Sequence, residues 1–261
     1  MNSPAHYELE NHNSATILRL ASPDGTNRLS RACVLALADA VRELARDPRP
    51  LIITGNHKFF SAGAELLEIV ALTGPTAYDF SHMGQALMNE IGCFPAPVVA
   101  AVGGYCMGGG LDLALACHRR IASPHAVFGH RGAALGLITG WGGTQRLPRL
   151  VGKTRALQMM IEAEKVHARE ALRIGLVNEI VADGQAVVRA TELAEQICQL
   201  PQGAIRSDKE ALLRGIGRPL EEGFRIEAEA FRTLAFRGDS PAEGARAFIE
   251  KRRPQWRKQG L

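Results

Sequence analysis

Two glycine-centred segments carry the residues best able to do chemistry. Tyr105-Cys106-Met107-Gly108-Gly109-Gly110-Leu111-Asp112 follows an apolar run, Val98 to Val102, and leads into a helix-like run, Leu111 to Cys117. A strand that empties through glycines into a helix start leaves unpaired backbone N–H groups facing open space, which is a site for negative charge. Phe60-Ser61-Ala62-Gly63-Ala64-Glu65-Leu66 stands in the same relation to the apolar run Leu51 to Thr54. Two such loops can each supply an amide to one carbonyl oxygen, the arrangement of an oxyanion hole. Neither segment contains Gly-x-Gly-x-x-Gly or Gly-Lys-Ser/Thr, so neither carries a dinucleotide or nucleoside-triphosphate fingerprint. Gly104-Tyr105-Cys106-Met107-Gly108 fits a Gly-x-nucleophile-x-Gly elbow with cysteine as nucleophile. That reading needs an acid and a later histidine downstream. Asp112 is the one aspartate before His167, the last histidine, so the late loops of an α/β-hydrolase are missing.

The elements that must position these loops alternate. Thr16 to Leu20 reads as a strand, and Ser30 reads as the cap of a helix to Leu44 with Leu37, Val41 and Leu44 on one face. Leu51 to Thr54 is a buried strand, and a helix falls within Ala77 to Ile91. Pro95 and Pro97 then enforce extended chain before Val98 to Val102. Two short strands, Arg120 to Ala122 and Ala126 to Gly129, precede a glycine-rich loop, Gly136 to Gly143, that enters a short helix. Ala168 to Ile174 reads as helix, Leu176 to Val181 as strand, and everything from Asp183 onward as helix. The expected organisation is an α/β core over residues 1–182 and a helical region over 183–261, with Phe224, Phe231, Phe236 and Phe248 in helical settings.

Composition narrows the function class. The 261 residues are 46% hydrophobic and 22% charged, ordinary for a globular chain with a full core, and the net charge of +4 is scattered. This excludes a nucleic-acid signature and suits an anionic small molecule. Five cysteines, an odd number without zinc spacing, read as buried thiols in a reducing compartment. Met1 to Glu10 has no apolar signal core, and no apolar run is long enough to span a bilayer. The expectation is a cytoplasmic protein without a metal site.

At this point the motifs carry a resemblance. Phe60 to Leu66, then Pro97-Val98-Val99-Ala100-Ala101-Val102 leading to Gly108-Gly109-Gly110, then Gly142-Gly143-Thr144-Gln145-Arg146-Leu147, resemble the crotonase (enoyl-CoA hydratase/isomerase) superfamily. Ala168 to Val177 and Glu243 to Trp256 agree, so the likeness spans nearly the whole chain in order. The resemblance implies a spiral of ββα units with a C-terminal helical region that builds trimers, often paired into hexamers. It implies an acyl-CoA thioester as ligand and no cofactor beyond the coenzyme A of the substrate. By matching positions, the oxyanion donors are the N–H groups of Ala62 and Gly109. Ala62, Gly63, Ala64, Glu65 and Leu66 lie along the CoA adenine, and Thr26 and Arg28 lie near the pyrophosphate. Phe248 and Lys251 approach CoA, commonly from a neighbouring subunit. Trp141, on the reading of the residues themselves, lines the acyl pocket or belongs to the core.

The sequence departs from the resemblance at the acid–base residues. The family's hydratases resemble one another in a glutamate two residues past the triple glycine, here Asp112, and another in a Phe-Gly-x-Pro-Glu-like segment, here Phe128-Gly129-His130-Arg131-Gly132. Hydration needs a base for water and an acid for the α-carbon. One carboxylate is thus a methylene shorter and the other is replaced by Gly132. Three readings stand for the missing group. His130, two residues from Gly132 and on the same strand face, takes over. Or Gly132 leaves room for an anion such as bicarbonate, helped by Arg131, as in the naphthoyl-CoA synthases that share this glycine, although Thr139 stands where those carry aspartate. Or the cavity houses a larger acyl group. Isomerase-type members place a carboxylate within Gly136 to Gly143, and this chain has none. If loss of carboxylates limits hydration, replacing Gly132 and Asp112 together by glutamate is expected to raise it. The nominal reaction is hydration of a 2-enoyl-CoA. Decarboxylation, hydrolysis, isomerisation or non-catalytic acyl-CoA binding are the alternatives.

Overall fold

Leu51-Ile52-Ile53-Thr54 is apolar on successive residues because both faces of its strand are covered, the signature of a parallel strand between layers. It sits within a six-stranded sheet. In a computed structural model of the chain the described residues are 6–12, 14–237 and 240–256. Their elements run β1 (Tyr7–Asn11), β2 (Thr16–Leu20), β3 (Arg28–Leu29), α1 (Arg31–Leu44), β4 (Leu51–Thr54), β5 (Phe59–Ser61), β6 (Gly63–Ala64), α2 (Leu66–Val70), α3 (Gly74–Gly92), β7 (Val98–Val102), β8 (Tyr105–Met107), α4 (Gly109–Ala116), β9 (Arg119–Ala122) and β10 (Val127–Gly129). A 3₁₀ turn over Ala133–Leu135 follows. Then come α5 (Gly143–Val151), α6 (Lys153–Ile161), β11 (Val166–His167), α7 (Ala168–Arg173), β12 (Glu179–Ile180), α8 (Ala186–Cys198), α9 (Gln202–Gly215), α10 (Leu220–Arg237) and α11 (Ser240–Ile249).

The first compact unit covers Met1–Ala194 and the second Glu195–Leu261. In the first, the order β1-β2-β4-β7-β9-β12 makes the large sheet, parallel except for β1. A second sheet, β11-β10-β8-β5, and a two-stranded pair, β3-β6, complete the frame. Each of β2, β4, β7 and β9 is followed by a strand of a smaller sheet and then by a helix or 3₁₀ turn, so the chain repeats a ββα turn four times. Alternation along the large sheet sends Leu18, Ile53 and Ala100 into the main core and Ile17, Ile52, Val99 and Ile121 to the other face, where Ala186, Ala190 and Ala194 of α8 pack.

Local signals explain the starts of the elements. The Ser30 hydroxyl accepts from the Cys33 N–H at 3.2 Å and caps α1, worth about 1 kcal/mol. Several expectations need correction. Tyr105 to Met107 is not loop but strand β8, paired in parallel with both β5 and β10. The glycine helix starts at Gly109, two residues before its apolar run, because Gly108 turns the chain at φ +50°. Leu176 to Val181 yields only the two-residue strand β12. Cys33, Cys106 and Cys117 are buried, but Cys93 and Cys198 are exposed. The second unit is all helix among its described residues, and α9 and α10 pack on each other, with Gly203 close to Leu234 and Gly215 close to Gly223. The side chain of Phe236 lies outside the described residues.

Candidate active site

The two glycine loops meet. Gly63, at φ +100°, lies so close to the second loop that a Cβ there would stand 2.8 Å from the Met107 carbonyl oxygen and 3.2 Å from the Gly109 nitrogen. Reciprocally, a Cβ on Gly109 would stand 3.3 Å from the Ala64 nitrogen. The amide nitrogens of Ala64 and Gly109 therefore sit side by side. Gly109 is the first residue of α4, so its N–H has no acceptor within the helix and carries the positive end of the helix dipole. Glu65 N–H donates to Leu29 O at 3.3 Å, and donors alternate in a parallel ladder, so the Ala64 N–H points away from β3 and toward Gly109.

This corrects one expected donor. The Ala62 N–H is already engaged, donating to Thr26 O at 2.9 Å. The resemblance points to the alanine before Gly63, and the phase of the β3–β6 ladder points to the one after it.

Above these amides opens a cavity of about 710 Å³. Ala62, Gly63, Ala64, Leu66, Gly109, Asp112, His130, Gly132 and Trp141 line it, as do Met107 and Thr139. Its remaining walls are chiefly apolar, from α2, α3 and the segment Leu135 to Ile138. Trp141 is 2% exposed, donates its indole N–H to Phe80 O at 3.1 Å and packs so tightly on Gly109 that a Cβ there would lie 2.5 Å from Cζ3. It is both core and wall.

Asp112 stands in the first turn of α4, 1% exposed. Its Oδ2 accepts from the Thr139 hydroxyl at 2.5 Å, and its Oδ1 lies 3.3 Å from His130 Nε2. Burial pushes the Asp112 carboxyl up to about 7 against the Thr139 hydrogen bond, the Arg146 charge and the Gly143 and Trp141 amides. Burial acts the opposite way on His130, 3% exposed, and pushes it down to about 4. Both shifts act toward the neutral form of the group. Asp112 Oδ1 and His130 Nε2 face each other without an aligned hydrogen bond. Thr139, which the sequence marked only as a departure, is thus the hydroxyl that orients the carboxylate.

Gly132 explains itself by space. A Cβ there would stand 2.8 Å from the Leu137 carbonyl oxygen, because both Leu135 N–H and Leu137 N–H donate to Gly132 O and draw the chain over it. A glutamate at this position requires the backbone of Leu137 to move. The gain in hydration expected from glutamates at 112 and 132 has to contend with that displacement. Arg131 is exposed and lines the cavity rather than closing on Gly132.

The expected CoA contacts divide. Ala62, Gly63, Ala64 and Leu66 line the cavity, but Thr26, Arg28 and Glu65 do not. Arg28 is paired with Asp24 and, at 3.3 Å, with Glu65. The Thr26 hydroxyl accepts from Arg28 and donates to Asp24, whose carboxyl is held well below its usual range by that bond first. Glu65 also caps α2 through Leu67 N–H at 3.3 Å. Phe248 and Lys251, in the second unit, are exposed. The nucleophile reading of Cys106 fails. The thiol is fully buried, contacts Gly110 O at 3.4 Å, and is pushed far above its usual range by burial. Among the described residues, no group of three His, Cys, Asp or Glu side chains is arranged to hold a metal ion, and no helix is long and apolar enough to cross a membrane.

Four ββα turns wound around an apolar cavity with paired main-chain amides on its floor make this a crotonase fold, and the solved structures agree. The enoyl-CoA hydratase of Bacillus anthracis superposes with a TM-score of 0.90 at 32% identity, over 98% of this chain and 100% of that one. The enoyl-CoA hydratase/isomerase family model matches residues 10–259, and the chain belongs to that family. It is 38% identical to a crotonyl-CoA hydratase of Syntrophomonas wolfei, over 94% of this chain and 95% of that protein. It is 34% identical to a short-chain-enoyl-CoA hydratase of Clostridium acetobutylicum over the same shares.

Proposed function

We propose that this protein binds an acyl-CoA thioester and adds water across the double bond of a 2-enoyl-CoA, a lyase reaction. The observation that carries this reading is the convergence of the Ala64 and Gly109 amide nitrogens under a cavity that also holds Asp112. A thioester oxygen seated on both amides gains charge as water adds to the β-carbon. Two preorganised donors, one at a helix N-terminus, stabilise that enolate by about 3 kcal/mol each. Asp112, raised toward neutrality, acts as the acid–base group beside it. The apolar walls take the acyl chain, Trp141 among them, and the loop from Gly63 to Leu66 takes the adenine end. Arg28 meets the pyrophosphate after leaving Asp24 and Glu65. No cofactor or metal enters the reaction.

The second unit exposes Leu220, Phe224, Phe231, Phe248 and Ile249. Surface of this kind supports self-association into a trimer, single or paired as a hexamer, with Phe248 and Lys251 reaching the CoA of a neighbouring subunit. Five cysteines without a disulfide suit a reducing, cytoplasmic setting.

Loss of the conjugated enoyl absorbance of crotonyl-CoA tests the reaction. Turnover abolished in Asp112→Ala supports it. Tight acyl-CoA binding without hydration moves the site to another enolate reaction, such as decarboxylation or hydrolysis, or to non-catalytic binding. Light scattering at micromolar concentration reads the oligomeric state, and a monomer overturns that part.

A further inference from the structure

Among the described residues, the ionisable side chains lining the cavity are Asp112, His130 and Arg131. The cavity therefore holds one carboxylate, whereas hydration needs two proton-transfer groups, one for the water and one for the α-carbon. Asp112 Oδ1 and His130 Nε2 lie 3.3 Å apart, both atoms without another partner. Unpartnered polar atoms at such burial are costly unless they serve a purpose. Two independent segments bring them there, the first turn of α4 and the residue that follows β10. A third fixes their spacing: a Cβ on Gly143, at the start of α5, would stand 2.3 Å from Asp112 Oδ1 and 2.6 Å from His130 Nε2. Only a glycine there leaves the two side chains in place.

We propose that His130 is the second acid–base group of this site and works with Asp112 as a pair that shares one proton. The proposal rests on the hydration reading above. In the proposed resting pair the proton sits on Asp112 and His130 is neutral, the direction in which burial moves both groups. His130 takes a proton from the attacking water as its oxygen bonds to the β-carbon. The π electrons move to the thioester oxygen, held by the Ala64 and Gly109 amides. Asp112, three residues past Gly109 in α4, gives its proton to the α-carbon as the enolate collapses. The proton gained by His130 then crosses to Asp112 and restores the pair. One water is added, and no other reagent is consumed. Arg146 of α5 acts on Asp112, and Asp112 in turn acts on the Cys106 thiol of β8. Arg146 is bound to Asn89 and the Trp141 carbonyl, and Cys106 stays protonated, so neither competes for the shared proton.

Two variants and two reactions test this. His130→Gln should lower kcat for crotonyl-CoA hydration about 10²-fold or more, with KM within about threefold. Gly143→Ala keeps both side chains but drives them apart, and should give a loss of the same order. Thermal melting and retained acyl-CoA affinity identify any variant that merely misfolds. A His130→Gln enzyme within threefold of the parent kcat overturns the proposal, as does a Gly143→Ala enzyme of full activity. Should the unaltered protein hydrate nothing, the hydration reading fails by itself, and the pair is judged on exchange of the α-protons of butyryl-CoA in heavy water. Exchange that is lost in Gly143→Ala keeps the pair as the proton-transfer unit, and exchange that is indifferent to it, or absent from the unaltered protein, removes it.

Discussion

The floor of the cavity and its wall are built by different means. The floor is main chain: two amides whose positions follow from the β3–β6 ladder and from the first residue of α4. The wall beside it is side chain: Asp112, His130 and Thr139, with glycines at 132 and 143 where larger residues would collide. Backbone donors survive changes of residue type, because any residue supplies an N–H, provided the path of the chain is kept. Side-chain chemistry changes with a single residue. The same floor therefore admits different reactions, and the wall decides which one runs.

The largest effects should come from the floor. Gly109→Ala places a Cβ 2.5 Å from the Trp141 ring and must tilt the start of α4. Losing one donor's alignment is expected to lower kcat about 10²- to 10³-fold, read by steady-state hydration of crotonyl-CoA. A kcat within tenfold of the parent would mean that the helix start is not part of the site. On the wall, Asp112→Asn should lower kcat about 10²-fold or more with little change in KM.

The same substitution should act on stability in the opposite sense. The Asp112 pKa is raised from 3.8 to about 7 on folding. The folded state thus holds a proton that the unfolded chain releases near its ordinary pKa. Stability from this group is fully present below that ordinary value and is lost as pH rises through about 7. The Tm of Asp112→Asn relative to the parent should therefore climb between pH 4 and pH 8, and a flat difference would contradict the burial argument. Gly132→Glu should not rescue hydration, because its Cβ meets the Leu137 carbonyl; it is expected to cost about 1–3 kcal/mol of stability by denaturant unfolding. The smallest effect belongs to Arg28→Ala. Its guanidinium is exposed and already paired with Asp24 and Glu65, so KM for CoA substrates should change about threefold or less.

The contrast between floor and wall also marks what a reader of the sequence can see. β4, β7 and α1 were legible because continuous or periodic apolar runs reflect which faces are buried, and the glycine loops were legible because they follow such runs. The short strands β6 and β8 were not, since their pairing partners lie far along the chain. The choice between Ala62 and Ala64 turns on ladder phase, which residue type does not encode. The same holds for Thr139 and Gly143. Their roles arise from loops folding back on α4 and β10, and the signal that existed, a carboxylate-free Gly136 to Gly143 loop, spoke only of what was missing. His130 was visible as a histidine near a lost glutamate, but its partner at 3.3 Å was not.

A crystal structure with a bound enolate-like acyl-CoA, such as acetoacetyl-CoA, addresses the account at its root. The thioester oxygen should lie about 3 Å from both the Ala64 and the Gly109 nitrogens, with Ala62 still donating to Thr26. An oxygen seated on Ala62, or on neither loop, would contradict it.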